Sequence, residues 1–230
     1  MTTPRRAPTV AVVGADTGAG AALASGLEDR GASVARLPVS ALEGRARFGA
    51  ALQEVVPRLG ALEGLVVASV GTEPTRGAAV ADLDSDTWSA MVERPLQRTL
   101  VCFQGAFDVL RQAGGTMVLV VPTLSLVGAA GFGPWAAVTE GQRALARAAA
   151  RAWGSRAVTV HCVAVPASLL TAAPTEDGPY PDRPGQPAPA LHRPDMGADV
   201  SSVVHSLLSP AWRSVTGATV AVDGGVWMTP

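Results

Sequence analysis

The sequence predicts an α/β protein built on a doubly wound parallel sheet, and three observations support that fold class. Short apolar runs alternate with amphipathic helical segments along the chain, the pattern of strands joined by helical crossovers. A glycine-rich turn at 14–20 follows the first apolar run and opens a helix, as dinucleotide-binding turns do. A hydrophobic content of 48% with 25 Gly and 18 Pro suits a compact α/β protein.

Length and charge limit the classes of function. The 230 residues fit one domain, 1–230, with a single core. A net charge of −1 and a pI near 6.3 offer no basic surface for nucleic acid. The chain has no run of 18 or more apolar residues for a membrane span, and its first residues are a poor match to a signal peptide. We therefore expect a cytoplasmic protein.

Cysteine and histidine positions predict no metal centre. Cys102 and Cys162 lie in apolar runs, which favours packed thiols over a disulfide or a ligand pair. His192 and His205 are too far apart in the sequence to form a zinc motif.

The first half of the chain is predicted to hold three strands and two helices. The strands are Thr9–Val13, Ser33–Leu37 and 62–68. One helix runs from the glycine turn to about Arg30, and the other covers 41–59.

The second half begins with a long helix over 87–113, with Asp86 as its cap. Pro95 interrupts this helix because proline removes an intrahelical hydrogen bond. Further strands are predicted at 116–121, Val158–Val165 and 219–222, and further helices at Gly133–Trp153 and from the Asp195 cap to about Leu208. The segment 167–194 is rich in Pro, Ala and Gly, the composition of a lid.

Three motifs resemble a known family: the G-x-x-x-G-x-G spacing of 14–20, the helix at 131–151 with its Gly/Pro entry, and Asp223-Gly224-Gly225. Together they resemble the short-chain dehydrogenase/reductase (SDR) family over nearly the whole chain. The resemblance implies a Rossmann-like fold, NAD(P) chemistry by an Asn-Ser-Tyr-Lys set, and oligomers built through two long helices. Compared with that of the family, the interval from Gly31 to Leu65 is short by about one helix and one strand. We therefore expect six strands, with the edge strand after the second one missing or vestigial.

The resemblance places the family's catalytic groups at positions that this chain has changed. Trp135 and Thr139 stand at the Tyr and Lys positions, Pro122 at the Ser position, and Pro95 at the Asn position. The chain has no lysine, no asparagine and a single tyrosine, Tyr180. Proton transfer by such groups contributes about 10²–10⁴-fold in rate. We expect no family redox catalysis from this chain alone.

Candidate cofactor residues lie along the first half of the chain: Gly14, Gly18, Gly20, Arg36 and Gly71. Glycines in the first turn let the backbone approach a pyrophosphate, and Arg36 could face a 2′-phosphate. The alternatives are that the glycines serve strand–helix packing and that Arg36 points into solvent. Because no acidic residue ends the second strand, we expect either no cofactor or weakly bound NAD(P).

The first hypothesis for function is a pseudoenzyme: a non-catalytic subunit in a homo- or hetero-oligomer with an active SDR chain. It predicts a cleft plugged by Trp135 and by lid residues such as Leu169 and Leu170. One face of the Gly133–Trp153 helix, either solvated or part of an interface, carries three arginines: Arg143, Arg147 and Arg151.

The second hypothesis is a repurposed non-redox enzyme of a biosynthetic pathway, such as a cyclase, isomerase or dehydratase. It predicts an open apolar cavity for a small molecule, lined by Val121, Pro122, Trp135 and Pro166. Its candidate polar groups are Thr123, Ser125, Thr139, Glu73 and His192. Two other polar residues are expected elsewhere: Glu140 on the outer helix face and His161 in the core. An NAD(P)-dependent reductase is the third hypothesis, disfavoured by the missing catalytic groups.

Overall fold

The fold is known from a computed structural model that describes residues 7–70, 79–128, 130–171 and 189–228. Its strands are β1 Thr9–Val13, β2 Ser33–Leu37, β3 Gly64–Val67, β4 Gly115–Pro122, β5 Val158–Val165 and β6 Thr219–Ala221. They form one sheet in the order β2-β1-β3-β4-β5-β6, and all neighbouring strands are parallel. The strand order reverses between β1 and β3, so a crevice opens there at the carboxyl ends of the strands.

The predicted loss of the outer strand is confirmed. β2 lies at the edge of the sheet and pairs only with β1 within the described residues. The sheet therefore has the six strands expected from the short interval between Gly31 and Leu65.

Seven α-helices cover the sheet in the described part of the chain: α1 Gly18–Asp29, α2 Arg45–Leu59, α3 Ser85–Trp88, α4 Arg94–Leu110, α5 Leu124–Val127, α6 Gly133–Trp153 and α7 Ser201–Leu207. α1 and α7 pack on one face, and α2, α4 and α6 pack on the other. Within the described ranges, no helix combines the length and apolarity needed to cross a membrane.

Both faces of the central strands are buried, and successive strand residues serve opposite layers. Val12 belongs to the layer under α1, and Val13 belongs to the layer under α2 and α4. α2 and α4 come close where Phe48 meets Gly105, since a Cβ on that glycine would lie 2.5 Å from the ring. Cys102 and Cys162 are free, buried thiols in this second layer, as predicted.

The helix predicted over 41–59 is shorter than expected. Val39–Leu42 form a 3₁₀ turn, and α2 begins only at Arg45. The backbone of Gly44 is extended, with φ 162° and ψ 156°, so the turn cannot run on into the helix.

The long helix predicted over 87–113 also differs in its cap and its continuity. Asp84, not Asp86, is the cap, because its carboxylate accepts the Thr87 N–H at 2.7 Å. The interruption predicted at Pro95 is a π-helical turn, Ser89–Glu93, between α3 and α4. Pro95 then lies in the first turn of α4, where its missing N–H is tolerated.

The carboxyl-terminal helix has the predicted cap. Asp195 accepts the Ala198 N–H at 2.7 Å, and a π-helical turn, Met196–Val200, leads into α7. Of the lid predicted at 167–194, residues 172–188 lie outside the described residues. Before that gap, Ala167–Leu169 form a 3₁₀ turn and Leu170 is buried.

Candidate functional site at the carboxyl edge of the sheet

The glycine turn lies between the end of β1 and the start of α1, and packing explains two of its glycines. Gly14 has φ +82°, and a Cβ there would lie 2.8 Å from the Ser69 N. A Cβ on Gly20 would collide with the Gly14 carbonyl oxygen. Gly18 has nothing within 4 Å of its Cβ position. Only Gly18 therefore leaves open space for a ligand, and Gly71 lies outside the described residues.

Internal hydrogen bonds hold this turn. The Thr17 hydroxyl donates to the Gly14 carbonyl at 2.8 Å and accepts the Gly20 N–H at 3.1 Å. The Leu37 carbonyl at the end of β2 accepts the N–H groups of Gly14 and Ala15. The turn is thus tied to β1, β2 and its own helix.

Asp16 is the charged residue of the turn. Its side chain is exposed, and Oδ1 accepts the Val39 N–H at 2.9 Å just beyond β2. The turn therefore carries a negative charge next to the N-terminus of α1, where helix N–H groups lack intrahelical partners.

Arg36 on β2 is held by α1. Its guanidinium forms an ion pair with Glu28 at 2.7 Å and donates to the Ser25 hydroxyl at 3.0 Å. The hydrogen bond to Glu28 raises the pKa of Arg36. The side chain is partly exposed and lies along α1 rather than free in solvent.

Trp135 and Thr139 lie in the first turns of α6. Trp135 is 7% exposed, and Thr139 is fully buried. The Thr139 hydroxyl donates to the Trp135 carbonyl at 2.9 Å inside the helix. Neither side chain offers a group that exchanges protons near neutral pH.

A buried hydrogen-bonded chain links α6 to α4 beside these residues. Gln142 Nε2 donates to Thr99 Oγ1 at 3.0 Å, and that hydroxyl donates to the Pro95 carbonyl at 2.9 Å. The sequence reasoning missed Thr99 and Gln142. The sequence does place Gln142 on the inward helix face of Thr139 and Ala146, at three- and four-residue spacing, but it does not reveal Thr99 as its partner.

Pro122 ends β4, and the two candidate hydroxyls follow it. Pro122 is buried and pairs with Val165, and the Thr123 N–H donates to the Val165 carbonyl at 2.8 Å. Ser125 Oγ is buried and has no hydrogen-bond partner within the described ranges.

The space between the described side chains at the carboxyl ends of β3 and β4 is small. A cavity of about 30 Å³ remains there. That volume holds a water molecule or two. Its lining residues are Val67, Ala68, Ser69, Val70, Leu119, Val120, Pro122, Trp135, Val138, Gln142 and Leu170. The side chains of Trp135 and Leu170 are therefore buried against the carboxyl ends of β3 and β4.

The candidate groups Thr123, Ser125, Thr139 and His192 are absent from this lining, as are Glu140 and His161. His192 is exposed, and its Nε2 lies 3.1 Å from Asp199 Oδ2. Glu140 is exposed and pairs with Arg143, as predicted for the outer helix face. His161 is fully buried, its ring stands edge-on to Trp212, and burial lowers its pKa. Glu73 lies outside the described residues.

A group of acidic, His and Cys side chains able to hold a metal ion does not occur in the part of the chain that the structure describes. A family model described as enoyl-(acyl carrier protein) reductase matches residues 11–227. The chain belongs to the short-chain dehydrogenase/reductase family. The glycine turn, the α6 segment and Asp223-Gly224-Gly225 are therefore features of an SDR chain.

Curated relatives of this SDR chain include reductases. It is 27% identical over 180 residues to the 3-oxoacyl-(acyl-carrier-protein) reductase FabG of Staphylococcus aureus, covering 78% of this chain and 72% of that protein. It is also 27% identical over 185 residues to the short-chain dehydrogenase/reductase ABA4 of Pyricularia oryzae, covering 78% and 68%.

Solved structures share the fold. A sorbitol-6-phosphate 2-dehydrogenase, SrlD, from Erwinia amylovora superposes with a TM-score of 0.77 at 18% identity, covering 96% of this chain and all of that one. A double mutant of a Serratia marcescens short-chain dehydrogenase/reductase gives a TM-score of 0.72 at 20% identity, covering 95% and 97%. At these identities the likeness is one of architecture.

Proposed function

We propose that this SDR chain is a non-catalytic partner subunit of an active SDR oxidoreductase in the cytoplasm. The small cavity at the carboxyl ends of β3 and β4 supports the proposal most directly. Trp135 and Leu170 are buried at the carboxyl ends of the central strands and leave a cavity of about 30 Å³. Ligand sites for cofactor-sized molecules are roughly ten times larger.

The polar groups around the cavity support the same function. The Thr139 hydroxyl is bonded inside α6, and the Thr99–Gln142 pair is bonded to the Pro95 carbonyl. The Gln142–Thr99 bond joins α6 to α4, and the other two bonds lie within one helix. Trp135 and Thr139, at the positions of the family's Tyr and Lys, supply neither an acid nor a base. An active chain would have to supply the chemistry.

The outer surface of α4 and α6 supports assembly. Leu96 packs on Gly141, where a Cβ would lie 2.7 Å from the leucine Cδ2. One turn further along α4, Leu100 is 47% exposed, and α6 exposes Ala144 and Ala148. Small residues beside an exposed leucine allow a partner helix to approach closely. SDR proteins commonly assemble through these two helices.

The three arginines of α6 divide into two kinds. Arg143 is tied down, because its guanidinium contacts Glu140 and the Thr219 hydroxyl on β6. Arg147 and Arg151 are exposed and available to a partner or to solvent.

The test is co-purification with intact SDR chains from the same organism, followed by light scattering and a reductase assay. We expect no carbonyl reduction with NADH or NADPH by this chain alone, and a mixed oligomer with one intact chain. Leu100→Glu should abolish the mixed oligomer, whereas Ala50→Glu, at an exposed alanine of α2, should leave it intact. Reduction at ordinary enzymic rates by the pure chain would contradict the proposal. So would the absence of association with any of the intact chains.

The second candidate remains a repurposed non-redox enzyme, and one observation favours it. Ser125 Oγ is a buried hydroxyl without a partner in the described structure, next to the end of β4. The candidate requires the crevice to open beyond its present volume. Turnover of a biosynthetic intermediate that is lost in Ser125→Ala and kept in Ser202→Ala, at an exposed position, would favour it.

A further inference from the structure

We propose that this chain excludes the nicotinamide dinucleotide, and that Asp16 and Trp135 are the residues that exclude it. This exclusion rests on the proposed function for its biological role, because a partner subunit needs no cofactor of its own. Three places along the path that a dinucleotide takes across the sheet support the exclusion. They are the phosphate turn, the end of β2, and the carboxyl ends of β3 and β4.

At the phosphate turn, Asp16 opposes an anion. The N-terminus of α1 would otherwise favour a pyrophosphate, because its first N–H groups have no intrahelical acceptor. The Asp16 carboxylate lies two residues before Gly18 and is fixed by the Val39 N–H at 2.9 Å. A negative side chain held in this turn repels the negative phosphates.

At the end of β2, the groups that would hold a ribose are missing or engaged. Leu37 is buried at the strand end, and its carbonyl accepts two N–H groups of the glycine turn. Arg36 is ion-paired with Glu28 and bonded to Ser25, so a 2′-phosphate would have to displace both partners. The outer strand that would wall this site is missing beside β2 in the described sheet.

At the carboxyl ends of β3 and β4, Trp135 and Leu170 are buried and line the small cavity that remains there. The remaining volume of about 30 Å³ is far less than a substituted six-membered ring fills. The residues present therefore do not fit the cofactor implied by the family.

Close packing is sufficient to explain why positions 14 and 20 are glycine. A side chain on Gly14 would strike Ser69, and one on Gly20 would strike the Gly14 carbonyl. Any substitution at either position strains the β1–α1 turn, whether or not a ligand binds there. Glycine spacing alone thus does not imply a bound dinucleotide in this chain.

The experiment is calorimetric titration of the full chain with NADH and with NADPH. We expect no binding by the wild type at a dissociation constant below about 1 mM, and at least about tenfold tighter NADH binding by Asp16→Ser/Trp135→Ala. The matched control is Asp29→Ser/Trp135→Ala, which removes the same charge from the far end of α1 and should bind no tighter than Trp135→Ala alone. Leu170→Ala replaces Trp135→Ala if circular dichroism shows that the tryptophan variant does not fold.

The titrations distinguish failure of the exclusion, of its assignment to Asp16 and Trp135, and of the proposed function. Wild-type binding of NADH at micromolar concentration without turnover would overturn the exclusion and leave the partner role standing. A folded double variant without any gain would overturn the assignment to Asp16 and Trp135. Turnover by the pure chain would overturn the proposed function as well.

Discussion

Gln142 of α6 donates a hydrogen bond to the Thr99 hydroxyl of α4 at 3.0 Å, and both residues are buried. The bond joins the two longest helices of the structure next to the small cavity at the ends of β3 and β4. A buried polar pair of this kind contributes to stability chiefly through the cost of breaking it, since the remaining partner loses its hydrogen bond.

This pair can be tested by a double-mutant cycle. Gln142→Leu should lower the free energy of unfolding by about 1–3 kcal/mol, because it removes the donor to Thr99. The double variant Gln142→Leu/Thr99→Val should recover part of that loss, since both polar groups are then replaced by apolar ones. Urea unfolding provides the measurement. Strictly additive losses would show that the two side chains do not interact.

Placing a lysine at position 139 should destabilise the fold. Thr139 is fully buried and bonded to the Trp135 carbonyl, so an ammonium placed there would be desolvated without a counter-charge. We expect Thr139→Lys to lower the unfolding free energy by about 2 kcal/mol or more, and the isosteric Thr139→Val by less than about 1.5 kcal/mol. A wild-type denaturation midpoint for the lysine variant would mean that this position opens toward solvent.

His161 should make stability fall at acid pH. Burial lowers its pKa from 6.5, so the folded chain binds fewer protons at this site than the unfolded chain. Its contribution to stability is complete above pH 6.5 and falls as the pH drops below that value toward the folded pKa. Urea unfolding between pH 5 and about 8 should show a shallower slope for His161→Leu than for the wild type. His192→Gln, at an exposed ring, should keep the wild-type slope.

The two thiols should be unreactive in the folded chain. Burial raises the pKa of Cys162 to about 12 and raises that of Cys102 well above its usual range. A thiol reagent that attacks thiolates should label neither residue at pH 8, about the usual pKa of a free thiol, and should label both in urea. Ser202→Cys, at an exposed position, provides the positive control. Rapid labelling of the native wild type would show that one of the thiols is accessible.

The sequence located most elements well, because strand and helix periodicity are local properties. β1, β2, β5 and α6 have the predicted bounds. The missing edge strand was predicted from the resemblance to the SDR family, in which the interval matching Gly31 to Leu65 is longer. The element boundaries that the sequence analysis predicted wrongly depend on local backbone geometry, which hydrophobic periodicity does not encode. Gly44 adopts an extended backbone before α2, and Asp84 rather than Asp86 reaches a helix N–H.

The candidate site was harder to predict because its residues come from distant segments. Trp135, Leu169 and Leu170 are the predicted plug of the cleft. Trp135 and Leu170 are buried in one cluster, whereas Leu169 is only partly buried against it, because the burial of each leucine depends on how the chain folds back after β5. Thr99 and Gln142 were missed because a single polar residue on a helix has no partner until two helices pack together.

By itself, the sequence determined the parallel α/β architecture and the absence of lysine and asparagine, since apolar spacing and composition require no coordinates. Only the tertiary structure shows that the cavity at the ends of β3 and β4 is small and that the polar groups beside it bond to one another. The physical reason is that a cavity is the space left between side chains from separate segments, and its volume exists only once those segments have packed.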